Sequence, residues 1–213
     1  MTSFNNVSIY IIGTELTRGI IGDKHIKTIT TELTALDYNV KRAVIVPDDG
    51  VILKDLEYGV QDSDVLIVTG GLGPTTDDMT RQAIATVANV PLEKNQAAWD
   101  EVYSRLGERI YGANEKQAYI PRGFEKISNP KGTAPGFKGI FNYKNKEVLV
   151  IAMPGPPAEM QPMFYNYVLP YLSTLKGKGN EKRDEFSVFL TPEAKLEELC
   201  AQCAKDLGFD QIQ

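Results

Sequence analysis

Short unbroken apolar runs alternate with stretches of helical spacing along the first half of the chain. Val7-Ser8-Ile9-Tyr10-Ile11-Ile12 reads as a buried strand that stops at Gly13. Ile26, Ile29, Leu33 and Leu36 mark one face of a helix from about Asp23 to Asp37, with Asp23 as its N-cap. Val40 to Val46 predicts a second strand, ended by Pro47-Asp48-Asp49-Gly50, and Ile52, Leu53, Leu56 and Val60 predict a second helix. A third strand, Val65 to Thr69, leads through a glycine-rich turn into a helix carrying Met79, Ala83, Ile84, Val87 and Ala88. Almost fully apolar strands separated by helices imply a parallel sheet covered on both faces, with right-handed crossovers.

The pattern then becomes more mixed. Asn95 to Ile110 reads as a helix through Ala98, Trp99, Val102 and Leu106, and Asn114 to Tyr119 as a short helical piece closed by Pro121. Gly139-Ile140-Phe141 and Val148 to Ala152 flank the polar turn Tyr143-Lys144-Asn145-Lys146, a hairpin pattern. Met153-Pro154-Gly155-Pro156-Pro157 follows, then a helix through Met160, Met163, Phe164, Tyr167 and Val168, which Pro162 is expected to kink or restart. Residues 1–172 are thus expected to form the main domain, and polar residues 173–185 a linker. Residues 186–213 are expected to form a partial α/β segment, with a strand at Phe186 to Leu190 and a helix at Pro192 to Leu207. One strand and one helix cannot enclose a core, so this segment reads as the start of something longer or as a tail packed on the first domain.

Composition narrows the function classes. A net charge of −5 argues against a broad electrostatic grip on nucleic acid or an anionic membrane. No apolar run reaches the length of a membrane-spanning helix, and the N-terminal residues lack a signal-peptide pattern, so a cytoplasmic location is expected. Cys200 and Cys203 lie within a helical apolar pattern and are expected to pack as small hydrophobes, not as a redox pair. His25 is the single histidine, which removes any scheme needing two imidazoles.

Three loops sit at predicted strand ends: Gly13-Thr14-Glu15, Gly70-Gly71-Leu72-Gly73-Pro74-Thr75-Thr76-Asp77-Asp78, and Pro154-Gly155-Pro156-Pro157. Parallel strands place the first two on one sheet edge, where open α/β sheets bind ligands. A glycine-rich strand-to-helix turn can present backbone N–H groups to an anion. The spacing fits neither the dinucleotide fingerprint nor the P-loop, because Thr76 stands at the third glycine position and no Gly-Lys-Ser/Thr follows. Asp77 and Asp78, expected in the first helical turn, either complement the helix dipole or hold a divalent cation that cancels their repulsion of phosphate. Glu15 is a ligand or a solvated loop residue, and Lys116 a phosphate partner or a solvated lysine.

Taken in order, Gly13-Thr14-Glu15-Leu16 with Gly19, Gly70 through Thr80, Asn114-x-Lys116-Gln117-Ala118, Gly132-Thr133-Ala134-Pro135-Gly136-Phe137 and Pro154-Gly155-Pro156-Pro157 resemble the molybdopterin-binding-like domain of the CinA (competence/damage-inducible) family over residues 5–172. The resemblance implies a three-layer α/β/α fold with a mostly parallel sheet, related to molybdenum-cofactor biosynthesis proteins of the MoaB/Mog type. It implies hydrolysis of ADP-ribose to AMP and ribose 5-phosphate with a divalent metal (Mg²⁺, Mn²⁺ or Co²⁺). The alternatives are molybdopterin binding or adenylylation, and a non-catalytic nucleotide-binding module. Asp78 and Lys116 would be catalytic; Gly13, Glu15, Gly70, Gly71, Gly73, Pro74, Thr75 and Gly155 would hold the ligand; Asp78, Asp77 and Glu15 would hold the metal. A small phosphorylated ligand and a homodimer are expected, with no nucleic-acid or membrane partner. Two departures bear on the first loop: Thr14 replaces the family's acidic residue, and Asp23-Lys24-His25 replaces its Asn-x-Asn element. The amidohydrolase domain of full-length CinA proteins has no counterpart in these residues, so its deamidation of nicotinamide mononucleotide is not carried over.

Overall fold

The computed structural model describes residues 4–176 and 188–207. The chain divides into two compact units, Met1–Gly179 and Asn180–Gln213. In chain order the first unit runs β1 (Asn6–Ile12), α1 (Thr14–Thr17), α2 (Ile26–Ala35), β2 (Asn39–Val46), α3 (Ile52–Asp62), β3 (Val65–Thr69), α4 (Thr80–Val87), β4 (Leu92–Lys94) and α5 (Gln96–Leu106). It continues through β5 (Tyr119–Pro121), β6 (Glu125–Ile127), β7 (Gly136–Tyr143), β8 (Lys146–Met153), α6 (Pro157–Met163) and α7 (Leu169–Lys176).

Six strands form one sheet in the order β2-β1-β3-β8-β7-β6. The first four are parallel, with Ile9 beside Ile67 and Ile67 beside Ile151. Strands β7 and β6 add antiparallel pairs at one side, so the sheet is mixed but mostly parallel. Side-chain alternation divides the core between two faces. Tyr10, Leu66, Val68 and Val150 meet Leu56 and Val60 of α3 and Ile84 of α4. Ile9, Ile11, Ile67 and Ile151 meet Ile29 and Leu33 of α2 and Met160 and Met163 of α6. This is the expected three-layer α/β/α arrangement. Its central strands read as continuous apolar runs because both faces are covered. The hairpin closes through Lys144 and Asn145 at φ 47° and 68°, the two left-handed residues of a turn whose twist matches the strands.

Several details depart from the sequence pattern. Thr14–Thr17 is a helical turn within the expected loop. Helix α4 starts only at Thr80, so Asp77 and Asp78 belong to the loop and not to a first helical turn. Pro162 lies inside α6 without ending it. The helical path is instead modified at a π-helical turn, Phe164–Val168. Pro170 follows closely and has no N–H to give the Asn166 carbonyl; a wider turn accommodates that missing bond. The expected linker begins too early, because Ser173–Lys176 complete α7. Strands β4, β5 and β6, three residues each, are too short to leave a periodic signal.

Within the second unit, α8 (Glu193–Leu207) is present as expected. Val188–Leu190 do not form the expected strand, and Phe186 and Ser187 lie outside the described residues. Cys200 is half-buried and Cys203 exposed, so the expectation that both pack as small hydrophobes is not met at Cys203. No helix among the described residues is long and apolar enough to cross a membrane.

Candidate functional site

A cavity of about 480 Å³ lies beyond the carboxyl ends of β1, β3 and β8, the edge where this sheet class binds ligands. Glu15, Gly70, Gly71, Gly73, Pro74, Asp78 and Gly155 all line it. The glycine loop and the proline loop meet closely: a Cβ on Gly155 would lie 3.3 Å from the Gly70 Cα. Gly70 itself has φ +96°, and a Cβ there would lie 2.1 Å from the Ile12 carbonyl oxygen. Only glycine fits that position.

The start of α4 holds the loop from behind, one carbonyl after another. Thr80 donates its hydroxyl to Gly70 O at 2.8 Å and its amide to Gly71 O at 3.2 Å. Arg81 donates Nη2 to Leu72 O at 2.6 Å and Nη1 to Gly73 O at 3.5 Å. The amides are then distributed unevenly. Gly70 N–H bonds Met153 O at 2.9 Å and Gly73 N–H bonds Asp78 Oδ1 at 2.8 Å. Of the three glycine amides expected to meet a phosphate, only that of Gly71 remains available. With the Leu72 amide it forms a pair of donors that have no acceptor among the described residues.

Asp78 acts as a staple. Besides Gly73, it accepts the Thr75 amide at 2.8 Å and the Thr75 hydroxyl at 2.5 Å through Oδ2. Lys116 secures the same bend from the other side by donating Nζ to Thr75 O at 2.5 Å. Burial holds the Lys116 ammonium below its ordinary range, partly opposed by the Asp78 charge. Thr75, Lys116, Asp77 and Gly13 do not line this cavity. Asp77 is exposed and borders a separate groove with Met79 and Gln82. Gly13 leaves room for the Glu15 carboxylate, which would lie 2.9 Å from a Cβ there.

Asp48, His25 and Gln117 also line the cavity and have no counterpart among the sequence candidates. Asp48, just past the end of β2, has a buried Oδ1 without a partner. Burial raises its pKa; the Thr14 backbone opposes this, while Glu15, Asp77 and Asp78 push it further up. Thr14 accepts the Asp48 amide on its hydroxyl at 3.0 Å and so ties the first loop to the end of β2. His25 is 4% exposed, sets Nδ1 3.2 Å from the Thr69 hydroxyl and leaves Nε2 unpartnered. Desolvation lowers its pKa, so it is neutral at neutral pH. Gln117, 1% exposed, is fixed by its bond to Thr133 at 3.1 Å. The N-cap of α2 is His25 and not Asp23 as expected; Asp23 lies two residues earlier and accepts the His25 and Ile26 amides at 3.0 Å each. Asp48 could have been flagged from its place at a strand's carboxyl end. His25 carried no such signal.

None of Glu15, Asp48 and Asp78 forms an ion pair with a Lys or Arg among the described residues. No group of three His, Cys, Asp or Glu forms a ready-made metal cage there either. Magnesium-type ions usually take one or two carboxylates and complete their shell with water and substrate phosphate. The orphaned Asp48 oxygen near Glu15 fits that mode. Asp78, with both oxygens on the loop, and exposed Asp77 fit it less well.

Residues 8–174 match the family model described as a probable molybdopterin binding domain. CinA from Thermoplasma acidophilum, a protein of unknown function, superposes with a TM-score of 0.69 at 32% identity, covering 76% of this chain and 96% of that one. This chain belongs to the CinA family. Its domain also shares the fold of the tungsten cofactor synthesizing protein MoaB from Pyrococcus furiosus, with a TM-score of 0.54 at 20% identity over 83% of this chain and 99% of that one. A competence-damage inducible protein of Clostridium botulinum (strain ATCC 19397 / Type A) is 40% identical over 179 residues, which cover 80% of this chain and 43% of the relative. The chain thus spans less than half the length of that curated CinA-type relative.

Proposed function

We propose that the cavity is the active site of a nucleotide-diphosphate hydrolase that cleaves ADP-ribose to AMP and ribose 5-phosphate. One observation carries this reading. The loop that lines the cavity has its four consecutive carbonyls, Gly70 to Gly73, tied back to Thr80 and Arg81. The Gly71 and Leu72 amides remain as donors, in a cavity that also holds Glu15 and Asp48. Paired amides suit a phosphate, and nearby unpaired carboxylates suit the cation that accompanies a diphosphate.

In this reading the Gly71 and Leu72 amides hold one phosphate, with Asp78 and Lys116 keeping the loop in shape for it. Asp48 and Glu15 would hold Mg²⁺, Mn²⁺ or Co²⁺, whose bound charge would offset that of the diphosphate. With Asp48 engaged on the cation, the attacking water would give its proton to solvent. The water oxygen bonds to phosphorus, the bridging P–O bond breaks, and its electrons leave with the departing phosphate. Incubation with ADP-ribose and each metal, with chromatographic detection of AMP, tests the reading. Metal-dependent AMP release is expected; ADP-ribose held without turnover favours a non-catalytic nucleotide-binding module.

A second reading is supported by the matching family model and the shared MoaB fold: the same two amides would receive the phosphate of molybdopterin. Molybdopterin retention with ATP turnover and no ADP-ribose cleavage would favour it. A homodimer acting on a small phosphorylated ligand suits either reading.

A further inference from the structure

Arg81 is 1% exposed, a buried guanidinium in the first turn of α4. Among the described residues no carboxylate lies within ion-pair distance of it. Its two terminal nitrogens rest on the carbonyls of Leu72 and Gly73, and its Nε has no acceptor. Asp78 offsets part of that charge from beyond ion-pair distance, while its oxygens accept from Gly73 and Thr75. A buried guanidinium without a carboxylate in contact is costly, and proteins ordinarily pair such a group. Burial accordingly lowers its pKa to about 10, which still leaves it charged at neutral pH.

The cost has a physical rationale if the counter-charge arrives with the ligand. Arg81 sits behind the peptide units whose carbonyls it binds. Leu72 and Gly73 themselves line the cavity. The field of this cation reaches the cavity through protein instead of water. We propose that Arg81 is the positioning residue that sets the anion preference of this pocket, its buried charge being answered by a phosphate bound in front of the Leu72–Gly73 segment. This rests on the reading of the cavity as a phosphate site. It adds that the decisive positive charge does not touch the ligand.

Inorganic pyrophosphate is the probe that separates the two claims. Wild-type protein, Arg81→Lys and Arg81→Met are titrated by calorimetry, with thermal unfolding of each as a control. Arg81→Met is expected to lose at least about tenfold in pyrophosphate affinity, the order expected when a charge acts through a low-dielectric wall. Arg81→Lys keeps the charge but not the fork and is expected to recover most of that affinity. Equal binding by wild type and Arg81→Met overturns the inference, as does equal loss in both variants, which would mark a purely structural fork. If Arg81→Met does not fold, the wild-type protein still gives an answer by NMR. Pyrophosphate is expected to shift the Arg81 Nε–H resonance together with the Gly71 and Leu72 amides. Amide shifts without an Arg81 shift overturn the inference alone; no shift anywhere overturns the phosphate site and the inference with it.

Discussion

The Asp78 carboxylate accepts the Gly73 amide at 2.8 Å and, through its other oxygen, the Thr75 amide at the same distance. Both oxygens therefore maintain the bend that lets the loop face the cavity. Asp78→Asn keeps the shape but turns one acceptor into an amide that cannot receive the Thr75 or Gly73 N–H. Bonds to a charged acceptor contribute about 1.5–3 kcal/mol, and a loss of that order in unfolding free energy is expected. Activity should fall at any metal concentration, because the defect is in the loop. If excess metal restores full activity, Asp78 is a metal ligand and not a staple.

Gly70→Ala and Gly19→Ala separate strain from collision. Both glycines have positive φ, +96° and +69°, but only at Gly70 would the new Cβ strike backbone, whereas nothing lies within 4 Å at Gly19. Backbone strain alone costs roughly 1–3 kcal/mol. Gly19→Ala is expected to stay within that range and fold. Gly70→Ala should exceed it in denaturant unfolding and lose ligand binding.

Asp48 is expected to trade stability for function. Its pKa is raised in the folded protein from an ordinary 3.8, so the ionised carboxylate is a native-state liability at neutral pH. As pH falls through the raised value the folded form takes up the proton first, and the lost stability returns, fully so below 3.8. Asp48→Asn should therefore melt higher than wild type at pH 7 without metal, with the difference vanishing in acid. It should also lose hydrolytic activity and respond less to Mg²⁺. A lower melting temperature at pH 7 would count against this assignment.

His25 works in the opposite sense. Burial lowers its pKa below the ordinary 6.5, so acid protonates the unfolded chain first and stability drops as pH falls below 6.5. Unfolding free energies between pH 7 and pH 5 should show this slope, and His25→Asn should flatten it. An unchanged slope in the variant would locate the titration elsewhere.

Much of the architecture was legible because burial on both faces leaves strands such as β3 apolar at every position but the last, Thr69. The same composition made Gly70-Gly71-Leu72-Gly73 stand out and, with four companion motifs, pointed to the family. Legibility failed where a residue's neighbours are distant in sequence. Arg81 in an amphipathic helix looks like a solvated cation, yet the loop folds over it. Asp77 and Asp78 look equivalent, yet one faces solvent and the other holds the loop together. Lys116 reads as a phosphate partner or a solvated lysine, yet it donates to the Thr75 carbonyl, 41 positions away.

By itself, the sequence determined the layered α/β arrangement, the sheet edge that carries the loops, and the family. Local periodicity and glycine placement act over a few residues, and those properties follow from them. Tertiary structure alone decided which amides of the glycine loop stay free, which carboxylates lack partners and where the buried charge lies. Each of these depends on hydrogen bonds and desolvation between segments that only folding brings together.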